Sequence, residues 1–452
     1  MSLLEKCYLP VSANPWTDLF PGEASRPNHS RKAPGARPSV RPFGEWAREE
    51  FLSRKDKPLA LYLHVPFCRH RCLFCPFYQN RTEDGFSAGY ADRLVTHIER
   101  VAGMLGGAAR RRPVDAVYCG GGTPSDLDTP DLARVLRSIQ EHFAIVAETE
   151  ITVEGRVRDF TWEKVQAWRE AGANRFSLGL QTTDETLRRR LGRLAKREEI
   201  LATLRTLSES EAILIVDLLF GLPGQTQEML QEDLRFLAEE TGIHGLDLYE
   251  LIQFPHSPLA QAIQKGKPGF PPPPGKTERG PMFREAARTL GAHGFEHFTP
   301  QHWRRSPRER SVYNRMAKGD SDILPFGSSA GGNLGRTALM VERNLEAYAE
   351  QIDAGVLPVK ALAPMGPESD RERFKNELAA AAENLELPRL EKWPEALRSE
   401  APSLVQNWSQ GGLLAETATQ GSAPLTLTTA GAFWIKTMHK HLLGSLDLAP
   451  VA

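Results

Sequence analysis

Cysteine is scarce in this 452-residue chain: only five occur, too few for a disulfide framework. An excess of one charge is also missing. Fifty-six Lys and Arg face 57 Asp and Glu, a formal net charge of −1, so no global field recruits nucleic acid or an anionic membrane. Long apolar runs are absent as well. The most apolar stretch, AILIVDLLFGL, carries Asp217 and is far too short to cross a bilayer. The opening MSLLEKCYLP has no basic segment followed by an apolar one, so no secretory signal is expected. With 40% hydrophobic and 25% charged residues, the expectation is a cytoplasmic globular protein of two or three domains, with no nucleic acid or membrane as partner.

What is present is a concentration of thiols. Cys68, Cys72 and Cys75 fall within LYLHVPFCRHRCLFCPFYQN (61–80), directly after an apolar run. Thiolates select zinc, copper(I) or iron–sulfur clusters. A structural zinc would need a fourth ligand, which His64 or His70 could supply. The spacing C-x3-C-x2-C favours another use. Three cysteines on one short loop hold three irons of a [4Fe–4S] cube and leave the fourth open, unlike the four-cysteine clusters of electron carriers.

From Leu59 onward, short apolar runs alternate with amphipathic segments. Strands are expected at 59–65, 115–119, 150–154, 175–180, 213–220 and 246–252, and helices at about 87–107, 129–143, 161–171, 184–208 and 226–241. Near-continuous apolar strands separated by helices specify a parallel sheet with helices outside. In such folds the chemistry lies beyond the C-terminal strand ends. Here those ends carry the cysteine loop, CGGGTPS, Glu154, Gln181, Asp217 with FGLPGQT after it, and Gln253-Phe254-Pro255. Six functional ends fit a partial (β/α)6 barrel better than a flat sheet. Four regions are expected: an irregular N-terminal extension (1–55) wrapped over the main domain, the barrel (56–256), a substrate-covering region completing the catalytic domain (257–367) and a small helical C-terminal domain (368–452). KGKPGFPPPPGKTERG (265–280) reads as a loop, and LTTAG as a cap before a last amphipathic helix.

These motifs resemble the radical S-adenosylmethionine (SAM) superfamily, and within it the group containing oxygen-independent coproporphyrinogen III oxidase. The resemblance covers roughly 58–335 and rests on the cysteine loop with Phe74 in its last gap and on GGGTP after strand two. It implies a radical SAM barrel, a [4Fe–4S] cluster on Cys68, Cys72 and Cys75 with one open iron, and two molecules of SAM. Tyr62, Gly121, Glu154 and Gly331 would serve the first SAM. Phe74, Gly122, Thr123, Gln181, Arg193, Asp217 and Ile252 would serve the second. The glycines suit close backbone approach to a ligand. The competing readings are Glu154 as a surface carboxylate paired with Arg156 or Arg158, and Asp217 as a buried structural carboxylate needing only a hydrogen-bond partner.

Within the group the chain resembles the HutW/ChuW-type haem-degrading radical SAM methyltransferases. Phe77, Tyr78, Gln79 and Asn80 after the last cysteine carry that likeness, with RSVYNRMAKGDSDILPFGSSAGG and LTTAGAFWIKTM. The resemblance implies anaerobic haem degradation, a haem substrate, and a low-potential electron donor such as flavodoxin or ferredoxin. The alternatives are coproporphyrinogen oxidation and haem carriage. For haem, Arg304, Arg305, Arg308 and Arg310 are candidates for its carboxylates, against a solvated basic loop. His256, His297 and His302 are candidates for its iron. Tyr78 is the candidate catalytic hydrogen or proton donor. Cys119 is expected in a strand beside the glycine turn, and Cys7 has no assigned role.

Overall fold

The computed structural model describes residues 4–10, 14–17, 19–20, 43–364, 369–415 and 425–447. Strands β1 (Leu59–Val65), β2 (Pro113–Gly121), β3 (Ala144–Gly155), β4 (Arg175–Gln181), β5 (Ile213–Phe220) and β6 (Gly245–Glu250) are neighbours in that order, all parallel. The linking helices include α2 (Phe86–Leu105), α3 (Thr129–His142), α4 (Trp162–Glu170) and α7 (Gln227–Glu240). The six-strand expectation holds, with β3 longer than expected at its start.

The sheet extends at both edges. Beyond β6 lie two short antiparallel strands, β8 (His302–Arg304) and then β7 (Glu296–Thr299). On the other side β9 (Asp322–Phe326) runs parallel to β1, followed by antiparallel β10 (Gly331–Leu334), β11 (Thr337–Val341) and β12 (Val359–Pro364). Asp322 anchors this edge. It is fully buried and accepts from Arg112 at 2.7 Å and Arg54 at 2.9 Å, so its charge is compensated where an unpaired one would be costly.

Strand periodicity divides the two faces. Leu59, Leu61 and Leu63 of β1 join the helix-covered core, with Val117, Val153, Phe176, Leu178 and Val216. The alternate residues face the concave bore. Ala60 and Tyr62 there meet the short helix α10 (Val312–Met316), which packs on Ala116 and Ile323 and fills the N-terminal half of the bore.

Three readings need correction. The expected helix 184–208 is two helices, α5 (Glu185–Arg190) and α6 (Arg197–Ser208). Gly192 breaks it with φ +82°, a conformation glycine adopts without strain. The N-terminal extension is neither wholly irregular nor wrapped over the barrel alone. Residues 43–53 form helix α1, whose Ala47 and Phe51 enter the barrel core. Leu4, Cys7, Leu9, Leu19 and Phe20 instead join the core of the C-terminal domain, among α12 (Asp370–Ala382), α14 (Ala401–Gln410) and α15 (Thr429–Leu446). Trp408 Nε1 donates to the Cys7 carbonyl at 2.8 Å and Trp434 Nε1 to the Pro15 carbonyl at 2.8 Å. The Pro-rich stretch ends earlier than expected, because α9 (Lys276–Ala292) starts within it, its first turn capped by Glu278 on the Gly275 N–H at 2.8 Å. Thr428 caps α15 through the Gly431 N–H at 3.0 Å, as LTTAG implied.

Candidate active site

The cysteine loop is a closed excursion from the end of β1. Phe67–Cys68 pair with Asn80–Arg81, so the chain between them leaves and returns at one point. Backbone bonds from Leu73 N–H to Leu191 O (3.1 Å) and from Leu259 N–H to Leu73 O (3.0 Å) fasten its middle to the segments after α5 and β6. Cys68 and Cys72 are buried and Cys75 half-buried. The Thr123 hydroxyl donates to Cys68 Sγ at 3.2 Å, and the Phe77 N–H to Cys75 Sγ at 3.4 Å. Burial raises both thiols' pKa, and these donors oppose it.

The zinc arrangement is not formed. Among the described residues, no three His, Cys, Asp or Glu side chains converge closely enough for a single metal ion. His64 instead faces the bore, its Nδ1 2.9 Å from the Tyr62 hydroxyl, and burial lowers its pKa to about 4. His70 is exposed, and its carbonyl accepts from Arg156 at 2.7 Å. Thiolates of an iron–sulfur cube bind different irons and need not close on one point.

The glycine turn after β2 was expected to admit a ligand. Its first requirement is the protein's own packing. At Gly121, φ +113°, a Cβ would lie 2.6–2.8 Å from the His64 ring, and at Gly120 2.8 Å from Glu154 Oε2. A Cβ on Gly122 would meet the Phe67 and Val65 backbone, to which Gly122 N–H already bonds at 2.8 Å. The turn thus brings Thr123 onto Cys68 and Glu154 alongside.

Glu154 does not pair with Arg156 or Arg158. Tyr118 Oη donates to it, and burial raises its pKa while Tyr118 and the Gly121 N–H pull it down. Tyr62, Tyr118 and Tyr313 stack beside it, Tyr118 on Tyr313 at 4.4 Å and Tyr62 on Tyr313 at 5.8 Å. On β4, Gln181 takes φ +68° after a bulge, the kind of backbone strain that collects at functional sites. The break after α5 turns Arg193 toward it: a Cβ on Gly179 would lie 3.0 Å from Gln181 Nε2 and 3.2 Å from Arg193 Nη2. Arg193 also stands 5.8 Å over the Phe74 ring. Asp217 accepts from Ser177 at 3.4 Å. Burial, then Asp247 and Glu154, push its pKa well up. Glu154, Arg193 and Asp217 remain half-buried and Tyr249 is 36% exposed, so side chains at these strand ends reach solvent.

Below them lies a charge relay that sequence reading missed. Asp247 Oδ1 is 3.1 Å from His302 Nδ1, and His302 Nε2 is 3.3 Å from Glu309. Glu309 binds Arg175 at 2.9 and 3.0 Å, and Arg175 lies 4.0 Å from Glu150. Glu150 in turn accepts from the Val312 and Tyr313 N–H groups at 3.1 and 3.3 Å, at the start of α10. The only signal was charge inside strands, as in Arg175 and Glu150. Burial alone would lower the pKa of His302, but Asp247 and Glu309 raise it from 6.5 to about 9. A folded pKa above the unfolded one gives stability that is complete below pH 6.5 and lost as pH rises through 9. Up to about 3 kcal/mol is involved. Urea midpoints should therefore fall between pH 6.5 and 9.5, and His302→Gln should flatten that slope.

The relay also corrects the haem candidates. His302 is fully buried between two carboxylates, its Nδ1 bonded to Asp247 and its Nε2 3.3 Å from Glu309. His297 is stacked on Trp303 at 4.2 Å with its pKa lowered by burial to about 4, and its Nε2 has no partner. His256 is exposed in the loop after β6. The arginines serve the opposite end of the barrel. Arg304 pairs with Gly245 at the start of β6 and binds Glu296 at 2.8 Å. Arg305 donates to Ala238 and Ile243 carbonyls, Arg308 to Glu211 O and Arg310 to Glu148 O. They cap backbone at the N-terminal strand ends, far from the cysteine loop. Ile252 sits half-buried just past β6, Gly331 opens β10, and Tyr78 lies half-buried under Arg71, 5.4 Å from its ring centroid. Two flagged motifs do meet: Ser329 donates to Gln79 at 2.7 Å, joining the glycine-rich turn to the cysteine loop.

The donor set suits an iron–sulfur cluster with an anionic ligand. Three thiols share one loop, and the Arg193 guanidinium is held against them with its Nε lacking any partner. Gln181 Oε1 is likewise unpartnered. A six-strand parallel partial barrel with three loop thiols, a glycine turn and a buried carboxylate at its strand ends has the plan of a radical SAM protein. The chain belongs to the radical SAM superfamily, in the family of anaerobilin synthase: residues 62–237 match the Radical SAM superfamily model, and it is 35% identical over 434 residues to the anaerobilin synthase of Escherichia coli O157:H7, 94% of each chain. A heme chaperone, HemW, of Synechocystis sp. is 30% identical over 266 residues, 57% of this chain and 62% of the chaperone. Coproporphyrinogen III oxidase (HemN) from Escherichia coli, a radical SAM enzyme, shares the fold with TM-score 0.72 at 22% identity, over 91% of this chain and 97% of its own. Membership implies a [4Fe–4S] cluster and SAM.

Proposed function

We propose that this chain degrades haem without oxygen, as a radical SAM methyltransferase that adds a methyl-derived group to haem, opens the ring and releases iron. The observation that carries the reading is the similarity to anaerobilin synthase over 94% of both chains. The likeness to heme chaperones is weaker, 30% identity over 57% of this chain in one relative and 25% over 78% in another. Cys68, Cys72 and Cys75 would hold three irons of the cluster, the fourth staying open to SAM. When bound, the cluster supplies the electron for reductive cleavage of SAM.

The chain's own residues bind and orient. Glu154, fixed by Tyr118, accepts from the ammonium of a first SAM, with Tyr62, Gly121 and Gly331 around it. Arg193 and Gln181 offer free polar atoms to a second, with Phe74, Gly122, Thr123, Asp217 and Ile252. Tyr78, on the rim of the thiol loop, donates hydrogen to the opening ring. The electron arrives from a low-potential carrier such as flavodoxin or ferredoxin, and the setting is cytoplasmic. Among the described residues no helix is long and apolar enough to cross a membrane.

The test is anaerobic incubation of reconstituted protein with haem, followed at the Soret band, with mass analysis of the tetrapyrrole. Bleaching is expected only when SAM and a low-potential reductant are both present, with a methylated, ring-opened product. Haem recovered intact would point to carriage, and turnover of coproporphyrinogen to the oxidase. Either result overturns the proposal.

A further inference from the structure

The surface around the thiol loop is basic in a chain whose net charge is −1. Three segments meet there. Residues 68–81, 155–158 and 186–197 contain three, two and six Arg and Lys, and no Asp or Glu. They are one surface because they are bonded to each other. Leu73 N–H donates to Leu191 O at 3.1 Å, Arg156 to His70 O at 2.7 Å and Arg158 to Leu194 O at 3.0 Å. Arg69, Arg71, Arg81, Arg158, Arg189 and Lys196 are exposed. Asp126, Glu199 and Glu198 lie within 4.0 Å of Arg69, Arg158 and Lys196. Arg71, Arg81 and Arg189 have no carboxylate at that distance among the described residues, so positive charge is left over.

Two large apolar side chains stand out of this basic field, Phe77 at 64% exposure and Leu194 at 51%. Phe77 is also the residue whose N–H bonds Cys75 Sγ at 3.4 Å, and Cys75 is the least buried of the three thiols. One residue therefore spans from solvent to a cluster ligand. An apolar centre ringed by charge of one sign is the form of a transient protein contact steered electrostatically.

We infer that this face, centred on Phe77 and flanked by Arg81 and Arg189, docks an acidic, low-potential one-electron carrier protein. It delivers its electron at the Cys75 edge, the carrier being oxidised and the thiol-held cluster reduced by one electron each. The inference rests on the radical SAM reading and names the partner surface for it.

The experiment compares wild type with the double reversal Arg81→Glu/Arg189→Glu, using purified acidic flavodoxin as the probe. Calorimetric affinity and dithionite-driven SAM cleavage are both measured. The expected result is at least about tenfold weaker binding for the variant, wild-type binding that also falls about tenfold from 50 to 300 mM salt, and unchanged dithionite-driven cleavage. Phe77→Ser should weaken binding without changing the salt slope. Equal affinity of variant and wild type overturns the docking face. So does equal weakening by Arg235→Glu/Arg284→Glu elsewhere on the surface. Loss of dithionite-driven turnover in wild type, with flavodoxin binding intact, would count against the radical SAM reading alone.

Discussion

Cys72→Ala protein is expected to emerge from anaerobic reconstitution nearly colourless, with iron falling from about four per chain to less than one and SAM cleavage below detection. The chemistry is all or nothing, because two thiols on one loop cannot hold three irons. The fold should survive. Cys72 is buried and small, and the loop keeps its bonds from Leu73 to Leu191 and from Leu259 to Leu73. Loss of one buried sulfur costs on the order of 1 kcal/mol, so the thermal midpoint of apo-protein should move by only a few degrees. A Cys72→Ala protein that keeps wild-type iron and its absorbance near 400 nm would refute the ligand assignment.

Glu309→Ala is expected to have the largest effect on stability. Glu309 is fully buried and answers two cations at once, Arg175 at 2.9 Å and His302 at 3.3 Å. Those partners hold its pKa far below the usual carboxylate range, against burial. Removing it leaves Arg175 with only the more distant Glu150 at 4.0 Å and His302 with Asp247 alone, so the buried network loses its central anion, a defect worth about 3–5 kcal/mol. Glu309→Gln keeps the shape and loses the charge, so it should fall between. Urea denaturation at pH 7 reads the difference. A loss under about 1 kcal/mol would mean that water, not Glu309, solvates the relay.

The parallel barrel was legible because each strand carries a run of apolar residues on its helix-covered face and its helices fill the gaps. The residues at 213–220 were recovered to the position. The cysteine loop was legible because chemistry confines it to a few neighbouring residues. What escaped depended on contacts distant in sequence. Resemblance alone assigns Arg193 to the second SAM, inside an expected helix, and what turns it inward is the break at Gly192. Arg304, Arg305, Arg308 and Arg310 looked suited to carboxylates, yet their partners are carbonyls 67 to 162 residues away for three of the four. The relay joins β3, β4, β6, β8 and the loop before α10, and no local pattern announces such a set. Asp322–Phe326 hid within a glycine-rich stretch, though it is the seventh parallel strand.

The contact between the opening residues and the C-terminal domain bears on how the chain is made. The Cys7 carbonyl and Trp408 Nε1 are 401 positions apart. At about 10 residues per second, Leu4, Cys7 and Leu9 wait some 40 seconds on the ribosome's far side before α14 exists to cover them. The barrel strands are synthesised in the interval and can close first, each pairing with the one before it. The core around α12, α14 and α15 then assembles after the barrel, and it captures a segment synthesised before the barrel.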